Sequence, residues 1–208
     1  MFITFEGIDF CGKSTQLKLL SDYLKKKGIK VISIREPGGT KISEKIRDVL
    51  LDKKNKKMFI ETELLLFSSS RAQLVREIIL PKLKDGIFVI SDRFHDSSIA
   101  YQGYGRGISI NYVTKIQEFA IGEAVPDLTF LIDIPVSEME NRRQQFSFES
   151  LDRIELSKKF FYEKVRNGYL KLAKKDKRFV VIDGTQTIEK IHTEIINNIE
   201  KRINENQK

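Results

Sequence analysis

The stretch GIDFCGKST, residues 7–15, sets Gly7 and Gly12 five positions apart and follows the second with Lys13 and Ser14. It comes after FITFE (2–6), a short β-prone run, and before Ser14 to Lys27, where Leu17, Leu20 and Leu24 recur at helical spacing. Gly-x-x-x-x-Gly-Lys-Ser between a strand and a helix is the pattern of a phosphate-binding loop. The glycines let the backbone curl so that its N–H groups point at phosphate oxygens, and the helix adds its positive end. Lys13 supplies a point charge for the β and γ phosphates, and the Ser14 hydroxyl is a ligand for Mg2+. The run from Gly7 through Ile8, Asp9, Phe10, Cys11, Gly12, Lys13 and Ser14 to Thr15 is therefore expected to hold a nucleoside triphosphate. Asp9 is out of place among phosphates. It faces a hydrated magnesium or the sugar hydroxyl of a second ligand, or it is a turn residue bonded to its own backbone.

Outward from the loop, strand and helix patterns alternate. KVISIR (30–35), GIFVISD (86–92), DLTFLIDI (127–134) and RFVVID (178–183) read as further strands. Helices are expected over 59–83, ending or kinking near Pro81, and over 110–124, 136–143, 153–174 and 188–203. Near-continuous apolar strands separated by helices predict a three-layer α/β fold with a five-stranded parallel sheet flanked by helices. Ligands of such a sheet gather at the carboxyl ends of its strands. No repeat, low-complexity tract or linker divides the chain, so one domain is expected over 1–208.

Composition narrows the function classes. The 208 residues are 40% hydrophobic and 32% charged, ordinary for a globular domain, with a net charge of +8. The basic runs Lys25–Lys27, Lys53–Lys57 and Lys174–Arg178 fall at helix ends and loops without interleaved aromatics, so they read as solvated surface and no nucleic-acid partner is expected. No apolar run approaches a membrane span, and no signal peptide is visible, so no membrane partner is expected. Cys11 is the single cysteine; it reads as a small residue tolerated in the loop, in a reducing, cytoplasmic compartment.

ISDRF (90–94) closes a strand on Asp92 and Arg93. Asp92 is a candidate magnesium carboxylate and Arg93 a bidentate phosphate fork, or the two form a structural ion pair. Phe67 and Arg71 stand four apart on one helix face, able to stack on and bond a nucleobase; by spacing alone Phe67 is more often a core residue. Ser98, Tyr101 and Gln102 share one side of a short helical stretch.

Taken with REPGGT (35–40), LLLFSSSRAQ (64–73), SDRFHDSSIAYQGYGRG (91–107), PDLTFLID (126–133) and LDRIE (151–155), the loop resembles the thymidylate kinase family over most of the chain. The resemblance implies a phosphate-loop kinase fold, transfer of the γ-phosphoryl of ATP to dTMP in dTTP biosynthesis, and a homodimer. It places Lys13 and Ser14 on ATP and magnesium, Asp9 on the acceptor 3′-hydroxyl or the metal shell, and Thr185 and Gln186 near adenine. It puts Phe67 and Arg71 on thymine, Arg93 on the 5′-phosphate, Ser98 and Gln102 on the base, Tyr101 beneath the deoxyribose and Pro37 beside the acceptor. Another pyrimidine nucleotide kinase or a deoxynucleoside kinase is the alternative. The family carries a catalytic arginine after the residue matching Asp9 or in a mobile lid. Here the loop position is Phe10, and the lid, about 142–152, begins RRQQFSFESL with Arg142 and Arg143. Arg143 or Arg153 is then expected to close over the transferred phosphoryl.

Overall fold

The computed structural model describes residues 1–205; the last three residues of the domain expected over 1–208 lie outside that range. Five strands, β1 (Phe2–Glu6), β2 (Val31–Arg35), β3 (Phe88–Asp92), β4 (Leu128–Asp133) and β5 (Phe179–Asp183), form one sheet in the order β2-β3-β1-β4-β5. Every neighbouring pair is parallel, as the apolar strand runs predicted. The helices are α1 (Lys13–Lys26), α2 (Lys41–Leu51), α3 (Ile60–Leu74), α4 (Leu80–Lys84), α5 (His95–Ser98), α6 (Ile110–Ile121), α7 (Val136–Arg143), α8 (Lys159–Lys175) and α9 (Ile188–Glu205).

The central strand β1 is buried on both faces and sorts the core by alternation. Ile3 and Phe5 join Leu17, Leu20 and Leu24 of α1 and Ile191, Ile195 and Ile199 of α9. Phe2 joins Leu74, Val75, Ile79, Phe94 and Ile121 on the opposite face. Glu6, in the same alternation as Phe2, therefore ends β1 inside the protein, where it is fully buried.

Four local departures from the sequence reading have physical causes. The helix α2 was not foreseen; Thr40 caps it by accepting the Ser43 N–H at 3.1 Å, and Leu50 anchors it in the interior. The helix over 60–84 does not break at Pro81. A wide π-helical turn over Val75–Ile79 changes the hydrogen-bond register ahead of the proline, which can then continue without its N–H. The helix expected from 153 starts at Lys159, because the Asp152 side chain accepts the N–H groups of Ile154 (2.7 Å) and Glu155 (2.8 Å) and commits that segment to a turn. The strand β3 begins at Phe88 rather than Gly86, since Gly86 has a positive φ of 72° and closes the preceding turn.

Candidate active site

The phosphate loop leaves β1 and enters α1 at the carboxyl edge of the sheet. Gly7 has φ 141°, and a Cβ there would stand 2.5 Å from the Ile132 carbonyl oxygen, so no side chain fits. Gly12, with φ 98°, turns the chain into α1. Lys13 folds back over the loop, its Nζ donating to the carbonyl oxygens of Ile8 (2.9 Å) and Gly7 (3.3 Å). Cys11 is buried in the core beneath the loop, as a small packed residue.

Parallel pairing sets Phe5 of β1 against Asp92 of β3, so the loop after β3 lies beside the phosphate loop. The Ser14 hydroxyl donates to Asp92 Oδ2 at 2.5 Å. Arg93 follows with φ 69°, a left-handed conformation rare for a residue with a side chain. That backbone turn sends its guanidinium across the cleft to the phosphate loop. Nη1 donates to the Gly7 carbonyl at 2.9 Å, and Nη2 to Asp9 Oδ1 at 2.5 Å and the Tyr101 hydroxyl at 3.0 Å. The guanidinium also lies 4.8 Å from the Tyr101 ring centre.

Asp9 thus belongs to a network rather than to a local turn. Its Oδ2 accepts the hydroxyls of Tyr162 (2.8 Å) and Tyr101 (3.1 Å). Burial pushes the Asp9 carboxyl up, but Arg93, Lys13 and the two tyrosine hydroxyls outweigh it and hold Asp9 below the ordinary aspartate value. Burial also raises Tyr101 and Tyr162 well above the ordinary tyrosine value, so both remain donors. Behind Arg93 stands a second carboxylate. Glu6 accepts the Phe94 N–H (2.7 Å), the Ser97 hydroxyl (2.6 Å) and the Tyr169 hydroxyl (2.8 Å), and both hydroxyls lie 3.2 Å from Arg93 Nη1.

At the other end of the cleft, Arg71 is 1% exposed and fixed on four sides. It meets Glu36 Oε2 at 2.6 Å, Ser98 Oγ at 2.9 Å, the Phe94 carbonyl at 3.0 Å, and Gln117 Oε1. Phe67 is half-buried and lines the cleft beside Arg71, so its ring is a wall of the cavity and not part of the core. Pro37, Ser98, Tyr101 and Gln102 line the same cavity, which has a volume of about 550 Å³. Lys13, Ser14, Asp92 and Arg93 line its other end.

Other expected residues are placed differently. Thr185 and Gln186 sit in the exposed turn after β5, where Thr185 bonds Asp183 Oδ1 through its N–H (2.9 Å) and hydroxyl (2.6 Å), and neither lines the cleft. Arg142 joins that turn to the phosphate loop, donating to the carbonyls of Gly184 (2.9 Å) and Phe10 (3.3 Å). The two arginines expected to close over the transferred phosphoryl, Arg143 and Arg153, lie outside the cleft in this structure. Arg143 donates to the Glu155 carbonyl at 3.2 Å; Arg153 donates to the Leu50 carbonyl at 2.8 Å and pairs with Glu63 at 2.7 Å. Both side chains are drawn to internal acceptors, and neither lines the cleft, whereas Arg142 does.

Sequence reasoning missed Arg35, Glu36, Arg47, Asp152, Glu155 and the Tyr162 and Tyr169 hydroxyls. Arg47 rides on α2 and donates to the Pro37 carbonyl at 2.7 Å. The spacing of Ile42, Ile46, Val49 and Leu50 behind Thr40 was the signal for that helix. The tyrosines carried no local signal, because their role depends on α8 crossing beneath the cleft.

Ser14 and Asp92 offer two adjacent hard oxygens at the mouth of the phosphate loop. Among the described residues no three His, Cys, Asp or Glu side chains cluster to hold a metal by themselves. That donor set fits magnesium, which takes few protein oxygens and completes its shell from phosphates and water. No described helix is long and apolar enough to cross a membrane.

Comparison with known proteins agrees with this arrangement. The thymidylate kinase family model matches residues 5–195. A thymidylate kinase of Thermosipho africanus is 53% identical over 203 residues, covering 98% of this chain and 99% of that protein. One from Kosmotoga olearia is 52% identical over 197 residues, covering 94% of this chain and 93% of that protein. The crystal structure of thymidylate kinase from Ehrlichia chaffeensis superposes with a TM-score of 0.77 at 38% identity, covering 96% and 98% of the two chains. With likeness at this level running almost end to end, through the phosphate loop and both ends of the cleft, the chain belongs to the thymidylate kinase family.

Proposed function

We propose that the protein transfers the γ-phosphoryl group of ATP to dTMP, forming dTDP and ADP, with Mg2+ bound at Ser14 and Asp92. The observation that carries this reading is one cleft with two different ends: Lys13, Ser14 and Asp92 at one, Phe67, Arg71, Ser98 and Gln102 at the other, and Arg93 between. ADP release from Mg-ATP that depends on added dTMP tests it.

The chain's own groups act mainly by position and charge. The acceptor is a phosphate monoester, whose second ionisation lies near pH ~6, so it is nucleophilic at neutral pH without a general base. What opposes reaction is the repulsion of two polyanions brought in line. Lys13 leaves its loop carbonyls for the β and γ phosphates. Arg93 meets the acceptor phosphate, and Asp9, which holds the Arg93 fork, faces the acceptor sugar or the water around the metal. Magnesium, when bound, neutralises phosphate charge and orients the donor. Phe67 stacks on the base, Arg71 and Gln102 bond its edge, and Tyr101 packs beneath the sugar, where it disfavours a 2′-hydroxyl. Arg142 lies beside the donor base, between the phosphate loop and the turn of Gly184, Thr185 and Gln186. The segment 142–152 acts as the lid.

The same reading makes the protein a single-domain cytoplasmic homodimer. Leu65 of α3 and Tyr112 and Phe119 of α6 are exposed apolar side chains on two helices that pack together, which supports a self-complementary face.

A further inference from the structure

A second cavity, of about 400 Å³, is lined by Lys53, Lys56, Arg106, Phe148, Arg153, Leu156 and Ser157. Four of these seven residues are cationic and none is acidic. Two of them come from the Lys53–Lys57 run, which read from sequence as solvated surface. We propose that this cavity is a binding site for a phosphate-bearing small molecule, separate from the catalytic cleft.

Charge favours an anion. Glu63, 2% exposed, is the carboxylate that serves both guanidiniums. It takes Arg106 Nε at 3.1 Å and Nη2 at 3.2 Å, and Arg153 Nη1 at 2.7 Å. Its other contact is neutral, Gln102 Nε2 at 2.9 Å. The buried Glu63 and the exposed Glu149, which its own backbone N–H, Ser147 and Lys53 hold below the ordinary glutamate value, stand against four cations and leave an excess of two positive charges around a partly enclosed space, where opposite charge is attracted more strongly than in bulk water.

Arg153 also holds an unmet donor. Arg153 donates through Nε to the Leu50 carbonyl at 2.8 Å, and its Nη1 forms an ion pair with Glu63 Oε2 at 2.7 Å. Its third nitrogen, Nη2, is buried and has no hydrogen-bond partner among the described residues. A buried guanidinium N–H without an acceptor is costly, and a rotation of the Arg153 side chain that brings it to an anion oxygen in the cavity removes that cost. Arg106 is held by the ring of Phe161, 4.3 Å from its guanidinium carbon, which fixes the plane it presents.

The cavity volume lies within the range of small-ligand sites. Phe148 and Leu156 add an apolar wall and Ser157 a hydroxyl, a lining suited to a phosphate joined to a compact organic group. The site is also placed to matter. Along 152–157 the chain alternates sides: Asp152, Ile154 and Glu155 line the catalytic cleft, while Arg153, Leu156 and Ser157 line this cavity. An anion bound here would tie that segment to the loop carrying Lys53 and Lys56.

Pyrophosphate and ATP are the probes, because both carry phosphate and only one carries a nucleoside. The catalytic cleft is first saturated with a non-hydrolysable ATP analogue, Mg2+ and dTMP, and further binding is measured by equilibrium dialysis with labelled probe. One additional saturable equivalent is expected, weakened at least tenfold in Lys56→Glu and in the Lys53→Ala/Lys56→Ala double variant. Lys56 is exposed, so Lys56→Glu is expected to fold and to retain basal turnover. Tighter binding of ATP identifies a nucleotide as the ligand, and equal or tighter binding of pyrophosphate identifies the phosphate group alone; both support the site. No further saturable binding to the filled enzyme, or binding unaffected by Lys56→Glu, overturns it.

Discussion

Arg93 Nη2 stands 2.5 Å from Asp9 Oδ1, and this ion pair joins the loop after β3 to the phosphate loop. Removing Arg93 therefore does two things: it deletes a phosphate fork and leaves the Asp9 carboxylate to the hydrogen bonds of the Tyr101 and Tyr162 hydroxyls. Arg93→Ala is expected to lower kcat/KM for dTMP by at least ~100-fold, of the order of 3 kcal/mol, with ATP affinity changed by less than about threefold. Steady-state kinetics with an independent ATP-binding titration checks this. An equal loss of ATP affinity would remove Arg93 from the acceptor side.

The contacts of the lid arginines make them separable. Arg142 touches the phosphate loop and the Gly184 turn, so Arg142→Ala is expected to raise KM for ATP. Arg143 and Arg153 are bound to internal carbonyls and Glu63. Their alanine variants are expected to keep kcat within about tenfold of the parent, less than ~1.4 kcal/mol of barrier. A larger fall in kcat for either would return it to the transferred phosphoryl.

Glu6 gives a pH signature. Burial first, then Asp96, raises its carboxyl from 4.5 to about 7. Between those values the folded protein holds a proton that the unfolded chain releases, so this contribution falls as pH rises through the window. His95 works the other way: burial lowers it from 6.5 to about 4, so its contribution falls as pH drops through that range. Glu6→Gln removes the first effect and keeps one of the two acceptor oxygens, at a pH-independent cost of the Phe94 N–H bond or of those from Ser97 and Tyr169. Urea unfolding at several pH values is expected to show the variant gaining on the parent from about pH 5 to about pH 8. Parallel curves would contradict it.

Phe119 is 83% exposed on α6 and Tyr112, seven residues earlier on the same face, is 65% exposed. If that face is shared between two copies, Phe119→Glu is expected to convert a dimer to a monomer in sedimentation velocity, with the fold retained by circular dichroism. An unchanged sedimentation coefficient would place the contact elsewhere.

The parts legible in the sequence were those written locally. Buried parallel strands appear as apolar runs, so all five were found, and the glycines of the phosphate loop carry their spacing on their face. Phe67 and Arg71 were legible as a pair on one helix face, though spacing alone left Phe67 between core and cleft. Several features were hidden because long-range packing decides them. Tyr162 and Tyr169 reach the Asp9–Arg93 pair only because α8 crosses under it. The pairing of Arg153 with Glu63, ninety positions away in sequence, carries no local signal. Lys53 looked solvated, but its Nζ donates to the carbonyls of Phe148 (3.2 Å) and Glu149 (2.9 Å) of a segment about a hundred positions away.

The central claim is tested most directly by ADP formation from Mg-ATP with dTMP, dUMP, UMP, CMP, GMP, thymidine or no acceptor. Strong turnover with dTMP, little with UMP and none without acceptor is the expected result. It follows from the Phe67–Arg71 wall, the Tyr101 ring and the Arg93 fork together. Turnover with thymidine but not dTMP would contradict the assignment of Arg93 to an acceptor phosphate, and turnover without any acceptor would make the protein an ATPase.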